Sequence, residues 1–175
     1  MPRIALPGAD EYAPYYATYV GQLAGDDSFA LLEAQALTTA RLLGATPESL
    51  AGHRYAPGKW SVQEVVLHLS DAERVFAYRA LRVGRGDTTP LAGFDENAYV
   101  PEGRCERRTL ADVAAEYAAV RVATLALFRS FDERALLRRG TANGQPITTR
   151  ALAAILAGHE LHHAKLLRER YGLIG

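Results

Sequence analysis

Apolar residues recur at three- and four-residue intervals in four stretches of this chain, and polar, Gly- and Pro-punctuated segments separate them. That period predicts four amphipathic helices. In the first stretch Phe29, Leu32, Ala36, Ala40 and Leu43 form one inward stripe, with Asp27 or Ser28 placed to cap it and Gly44 to end it. The second opens on Ser61-Val62-Gln63-Glu64. This is a capping box, in which the serine hydroxyl serves one free backbone N–H and the glutamate reaches back to another. Val65, Leu69, Ala72, Phe76 and Val83 follow at helical spacing, and Gly84 or Gly86 closes the helix. The third starts near Thr109, with Asp112 three residues on and a stripe of Leu110, Ala114, Tyr117, Thr124, Leu125 and Phe128; Arg121 falls on that same stripe. The last is capped by Thr148 or Thr149, carries Leu152, Ile155, Leu156, Leu166 and Leu167 inward, and runs to about Tyr171-Gly172.

The connections set the topology. Residues 1–25 read as an aromatic arm in which Tyr12, Tyr15, Tyr16 and Tyr19 cover apolar surface on the main body, which spans residues 26–175. The segment 85–108 is long and broken by Pro90, Gly93, Pro101 and Gly103. A crossover of that length between the second and third helices lets the two run parallel. Asn143-Gly144 marks a tight turn before the last helix. The expectation is all-α: a four-helix bundle with a long crossover.

Composition narrows the class. Lys plus Arg and Asp plus Glu each number 20, so the formal charge is zero, without the basic excess of a nucleic-acid binder. No apolar run approaches the roughly 20 residues that span a bilayer, and the first residues are too short and broken for a signal peptide. One cysteine, Cys105, forms no internal disulfide. A cytoplasmic protein without nucleic-acid or membrane partners is expected.

The histidines carry the chemistry. His159 and His163 stand four residues apart in the middle of the last apolar stripe, so their rings share one face. An imidazolium in an apolar core would cost several kcal/mol, and a shared divalent metal gives both rings a partner. Spacing alone leaves ligation and hydrogen-bonded core histidines both open. His68, flanking the stripe of the second helix, is placed to meet a neighbouring helix; His162 projects to one side, and His53 sits in a loop. His159-Glu160-Leu161-His162-His163 matches the H-E-x-x-H helix of zinc proteases, but no strand-rich half precedes it to hold a peptide. Glu160 also projects about 80–100° away from the metal-facing direction. Glu64 and His162 are candidates to orient the ligand rings from behind, although the capping box accounts for Glu64 as well.

Trp60-Ser61, Glu64, His68-Leu69 and Glu73, followed by His159-Glu160, His162-His163 and Tyr171, together resemble the DinB/YfiT-like family of metal-dependent proteins. The Tyr-rich arm and Phe94-Asp95-Glu96 resemble it too. The resemblance covers nearly the whole chain. It implies up-down-down-up topology, a metal held by His68, His159 and His163, zinc or nickel as that metal, and a homodimer. It also implies thiol-dependent transferase or isomerase chemistry with a low-molecular-weight thiol such as bacillithiol or mycothiol, acting on a small-molecule substrate.

Three imidazoles leave a metal with open positions, the mark of a catalytic rather than a closed site. Tyr117 and Arg121, both on the third stripe, are candidates to line the same cavity, Arg121 as a carboxylate or phosphate binder. Asp95 is a candidate to cover it from the long connection. Three function classes remain: a metal-dependent thiol S-transferase, a non-catalytic metal-binding stress-response module, and a metal-dependent hydrolase with Glu160 as base.

Overall fold

A computed structural model describes residues 3–174 of the chain. Its helices are α1 (Ala17–Val20), α2 (Ser28–Ala45), α3 (Val62–Gly84), α4 (Glu96–Glu102), α5 (Leu110–Arg129), α6 (Glu133–Leu136) and α7 (Thr149–Glu169). The four long ones start where side-chain caps stop the chain from fraying. Asp27 accepts from the backbone N–H groups of Phe29 and Ala30, and Thr148 from that of Ala151. Ser61 with Glu64 and Thr109 with Asp112 form reciprocal capping boxes.

α2 and α3 each pack against both α5 and α7. The cross-links fix the directions. Gln35 bonds the carbonyl of Ala157 and Thr39 bonds Glu160, so α2 and α7 advance together. Gln63 bonds the carbonyl of Arg108, Glu73 pairs with Arg121, and Arg85 bonds Ser130, so α3 and α5 advance together. α3 opposes α7, since Trp60 meets Tyr171 while His68 meets His159.

Two details depart from the periodicity. In the middle of α2 the polar Thr39 is buried and Ala40 is exposed, because Thr39 turns inward to reach Glu160. Two strands also appear: β1 (Arg139–Ala142) and β2 (Gln145–Thr148) pair antiparallel, with Ala142 opposite Gln145. Asn143 (φ 51°) and Gly144 (φ 71°) are thus the two central residues of a tight hairpin turn. The long connection adds to its edge, with Leu91 N–H donating to Thr141 O and Asn143 N–H to Leu91 O. That connection also contains α4 instead of running as open loop.

The apolar core has two parts. One gathers Phe29, Leu32, Phe76, Phe128, Leu152 and Ile155, and the other Leu42, Val65, Leu69, Leu110, Val113 and Leu167. At the level between them lie buried polar groups: Thr39, His68, Glu73, Arg121, His159, Glu160 and His163. No described helix is long and apolar enough to cross a membrane.

Candidate metal centre

His68 on α3 and His159 and His163 on α7 converge in this polar layer. One ring nitrogen from each lies within 4.8 Å of the others, and all three residues are buried. The Nε2 atoms of His68 and His159 are 2.9 Å apart, and the three ring centroids are 4.6–4.9 Å from one another. His163 Nδ1 is buried with no hydrogen-bond partner among the described residues. A cation bound by nitrogens at about 2.0–2.1 Å draws its ligand atoms to this kind of spacing. The cluster therefore fits a divalent metal, which would give the orphaned ring a role.

Electrostatics agree with ligation. Burial pushes His68 down to about 4 and His163 down to about 3, and it lowers His159 well below the ordinary imidazole value, with the neighbouring histidines adding to the effect. All three rings are neutral at pH 7, as metal ligands must be, so protons compete little for the site.

Local packing aims the rings. The Trp60 ring lies against His68 at 4.8 Å between centroids, and the Tyr171 hydroxyl fastens the Trp60 carbonyl at 2.6 Å. Tyr19, at 5.3 Å, meets His159 edge-on. The arm comes this close because residue 158 is glycine: a Cβ there would stand 2.4 Å from the Tyr19 carbonyl oxygen.

Two cavities reach the cluster. The first, about 180 Å³, is lined by His68 and His159 together with Tyr15, Tyr16, Tyr19, Phe76, Arg79, Phe94, Glu96 and Asn143. The second, about 250 Å³, is lined by His163, Trp60, Tyr55, Asn97 and Tyr171.

Several expected site residues lie elsewhere. Arg121 is 2% exposed and does not line either cavity. Its guanidinium forks onto Glu73 (Nε to Oε1 2.8 Å, Nη2 to Oε2 2.7 Å), pairs with Glu160, and donates to the Leu32 carbonyl. Tyr117 donates to Glu160, and its hydroxyl is pushed above the ordinary tyrosine range by burial and by that carboxylate. Both stay on the inward stripe but face the bundle axis. Asp95 is spent capping α4, accepting from the N–H groups of Asn97 and Ala98. Its neighbours Glu96 and Asn97 face the two cavities instead.

Glu64 binds Arg54 and the backbone N–H of Ser61 and forms no hydrogen bond with His68. His162 is exposed beside Tyr19, and His53 is exposed in its loop. Glu160, the would-be base, is held by Arg121, Tyr117 and Thr39 on the far side of α7.

The periodicity gives no sign that Tyr15, Tyr16, Tyr19, Arg79 and Asn143 share a cavity. The arm tyrosines read as surface cover, Asn143 reads as a turn residue, and the stripe of the second helix does not include Arg79. Only for Asn143 was there a signal: its turn predicts a hairpin, and a hairpin tip must be placed somewhere.

The fold and site define a class: a four-helix bundle with a buried three-histidine cluster shared by two antiparallel helices. The family follows from the sequence itself. Residues 30–167 match the DinB superfamily, and the chain belongs to it. Among solved structures it resembles YfiT from Bacillus subtilis, described as a probable metal-dependent hydrolase with an unusual four-helix bundle topology (20% identity, 84% of this chain and 87% of that one, TM-score 0.73). It also resembles the mycothiol-dependent maleylpyruvate isomerase (12% identity, 85% of this chain and 60% of that one, TM-score 0.68). A third likeness is to the DinB-like protein YjoA of Bacillus subtilis (20% identity, 80% and 85% covered, TM-score 0.58). At these identities the likeness is one of fold. Among curated proteins none matches significantly.

Proposed function

We propose that this protein is a metal-dependent enzyme that transfers or adds a low-molecular-weight thiol, of the bacillithiol or mycothiol kind, to a small electrophilic substrate. His68, His159 and His163 would hold the metal, zinc or nickel. The observation that carries the reading is that two separate cavities meet at the histidine cluster, one at His68 and His159 and the other at His163. Two openings suit two reactants. A metal there would lower the pKa of a bound thiol and keep it as thiolate at neutral pH. The thiol must come from outside: Cys105, the chain's one cysteine, packs in the apolar core with Val65 and Leu67, where burial pushes its pKa up to about 11. The aromatic walls supplied by Tyr16, Tyr19 and Phe94 would exclude water from the attacking sulfur. Such chemistry belongs in the cytoplasm, where small thiols are kept reduced.

Hydrolysis is the second reading. It needs a carboxylate base beside the metal, and Glu160 is committed elsewhere. Glu96 is the carboxylate that lines the first cavity, and a hydrolase would have to use it.

The test is elemental analysis of tag-free protein beside a His159→Ala/His163→Ala variant, followed by assays of electrophiles with and without bacillithiol and mycothiol. About one equivalent of metal in the wild type alone, with turnover only when thiol is present, is the expected result. Failure to take up zinc or nickel would overturn the metal site. Thiol-independent turnover lost in Glu96→Gln would favour the hydrolase.

A further inference from the structure

The cavity that reaches His68 and His159 contains a cation without an anionic partner among the described residues. Arg79, on α3, is 3% exposed and lines this cavity, and a guanidinium keeps its charge at any pH the fold tolerates. Its Nη2 donates to the Ala92 carbonyl at 2.7 Å, and the rings of Phe76 and Phe94 flank it at 5.4 and 5.7 Å. Among the described residues it forms no ion pair with a carboxylate.

Arg121 shows how this chain treats a buried guanidinium that serves structure alone. It is equally buried, and it has two carboxylates, Glu73 and Glu160. A buried charge is tolerated when it is paired and hydrogen-bonded. Aromatic faces, one carbonyl and the neighbouring Tyr16 hydroxyl, all uncharged, offset only part of the desolvation of Arg79.

We propose that Arg79 is the anion-binding residue of this site and that the molecule acted upon carries a carboxylate. The inference rests on the metal reading above and names the substrate class for it. Arg79 follows His68 by eleven residues on one helix. That is three turns, a return to the same face within roughly 20° and about 16 Å along the axis. Helix side chains lean toward the N-terminus, so the long arginine side chain reaches back toward the histidines. A bound carboxylate would meet the fork of Arg79, and the apolar stem would lie between Tyr16, Phe76 and Phe94. The reactive carbon would then face His68 and His159. Glu96 is the acidic group of the same cavity and disfavours a doubly charged phosphate more than a carboxylate.

The probes are 6-mercaptohexanoate, its methyl ester, and hexanoate. On cobalt-loaded protein, thiolate-to-cobalt absorption reads binding of the two thiols. The acid should bind roughly tenfold or more tighter than the ester, as expected for a hydrogen-bonded charge pair. Arg79→Ala should erase that preference while ester binding and cobalt content stay unchanged, and Arg79→Lys should restore part of it. Equal binding of acid and ester by the wild type, or a preference that survives in Arg79→Ala, overturns the assignment. If Arg79→Ala fails to fold, the wild-type comparison decides alone. A second arm needs no metal: hexanoate is titrated into chelator-treated protein while the arginine Nε–H resonances are followed by NMR. A shifted resonance that Arg79→Lys lacks supports Arg79 even if cobalt does not load, in which case the metal reading fails by itself. Cobalt loading with no hexanoate-dependent shift removes Arg79 and leaves the metal site standing.

Discussion

His68 and His159 bring their Nε2 atoms to 2.9 Å across two helices that run in opposite directions. Neither ring has an acidic partner among the described residues, and burial holds both as neutral imidazoles. The metal-free fold should therefore be acid-sensitive. For a histidine whose folded pKa is depressed, the unfolded chain binds more protons between the folded and unfolded values, so stability falls as pH falls through that window. With His68 near 4 and His163 near 3 against an unfolded value of about 6.5, the loss begins below about pH 6.5 and continues to about pH 3. Its slope is up to roughly 1.4 kcal/mol per pH unit for each histidine. Urea midpoints of chelator-treated protein at pH 7 and pH 5 test this. A midpoint no lower at pH 5, or the same slope in a His68→Leu/His163→Leu variant, would refute it.

Removing Arg121 leaves Glu73 and Glu160 buried without their cation. Arg121→Leu should destabilise the fold by about 3–5 kcal/mol, as breaking a buried ion pair does, a large share of the roughly 5–15 kcal/mol that holds a domain together. Denaturant titration gives the value. A loss below 1 kcal/mol would mean that the network is not structural.

Glu160→Gln is the informative companion. If Glu160 serves the core, as its bonds to Arg121, Tyr117 and Thr39 indicate, the variant loses stability and keeps its metal. Any metal-dependent activity per folded molecule should remain within about twofold, a difference of under about 0.5 kcal/mol in the barrier. Abolished activity in a folded, metal-replete variant would restore Glu160 as a base.

Gly158 is one of the places where the arm touches α7. Gly158→Ala pushes a methyl group against the backbone carbonyl of Tyr19, so the arm must move. The expected cost is about 1–3 kcal/mol, with Tyr19 withdrawn from His159. A chelator should then extract metal faster than from the wild type, and the same acceleration should appear in Tyr19→Ala, which removes the edge-on ring itself. Unchanged extraction rates in both variants would show that the arm does not screen the site.

Glu64→Ala separates capping from ligation. The loss of the capping box on α3 should cost about 1 kcal/mol, while metal content stays at the wild-type level. A fall in bound metal would show that Glu64 acts on His68 after all.

The sequence by itself determined the four long helices and their caps. Ser61 with Glu64, Thr109 with Asp112, and Asp27 are local signals, satisfied within three residues of where they stand. It also determined that His159 and His163 share a face, because four residues on a helix admit no other arrangement. The match to the DinB superfamily adds to this the level of the family.

Which helices touch is a long-range matter, and there only the tertiary structure decided. It brought His68 to the α7 pair. It turned Arg121 and Tyr117 from expected cavity residues into partners of Glu73 and Glu160, since an inward stripe says that a side chain is buried without saying against what. It also carried Arg79, Asn143 and the arm tyrosines into one cavity from segments far apart in the chain. No periodicity encodes such a meeting: hydrophobic spacing records which face leaves water, and the identity of the group across the gap depends on how the faces pack.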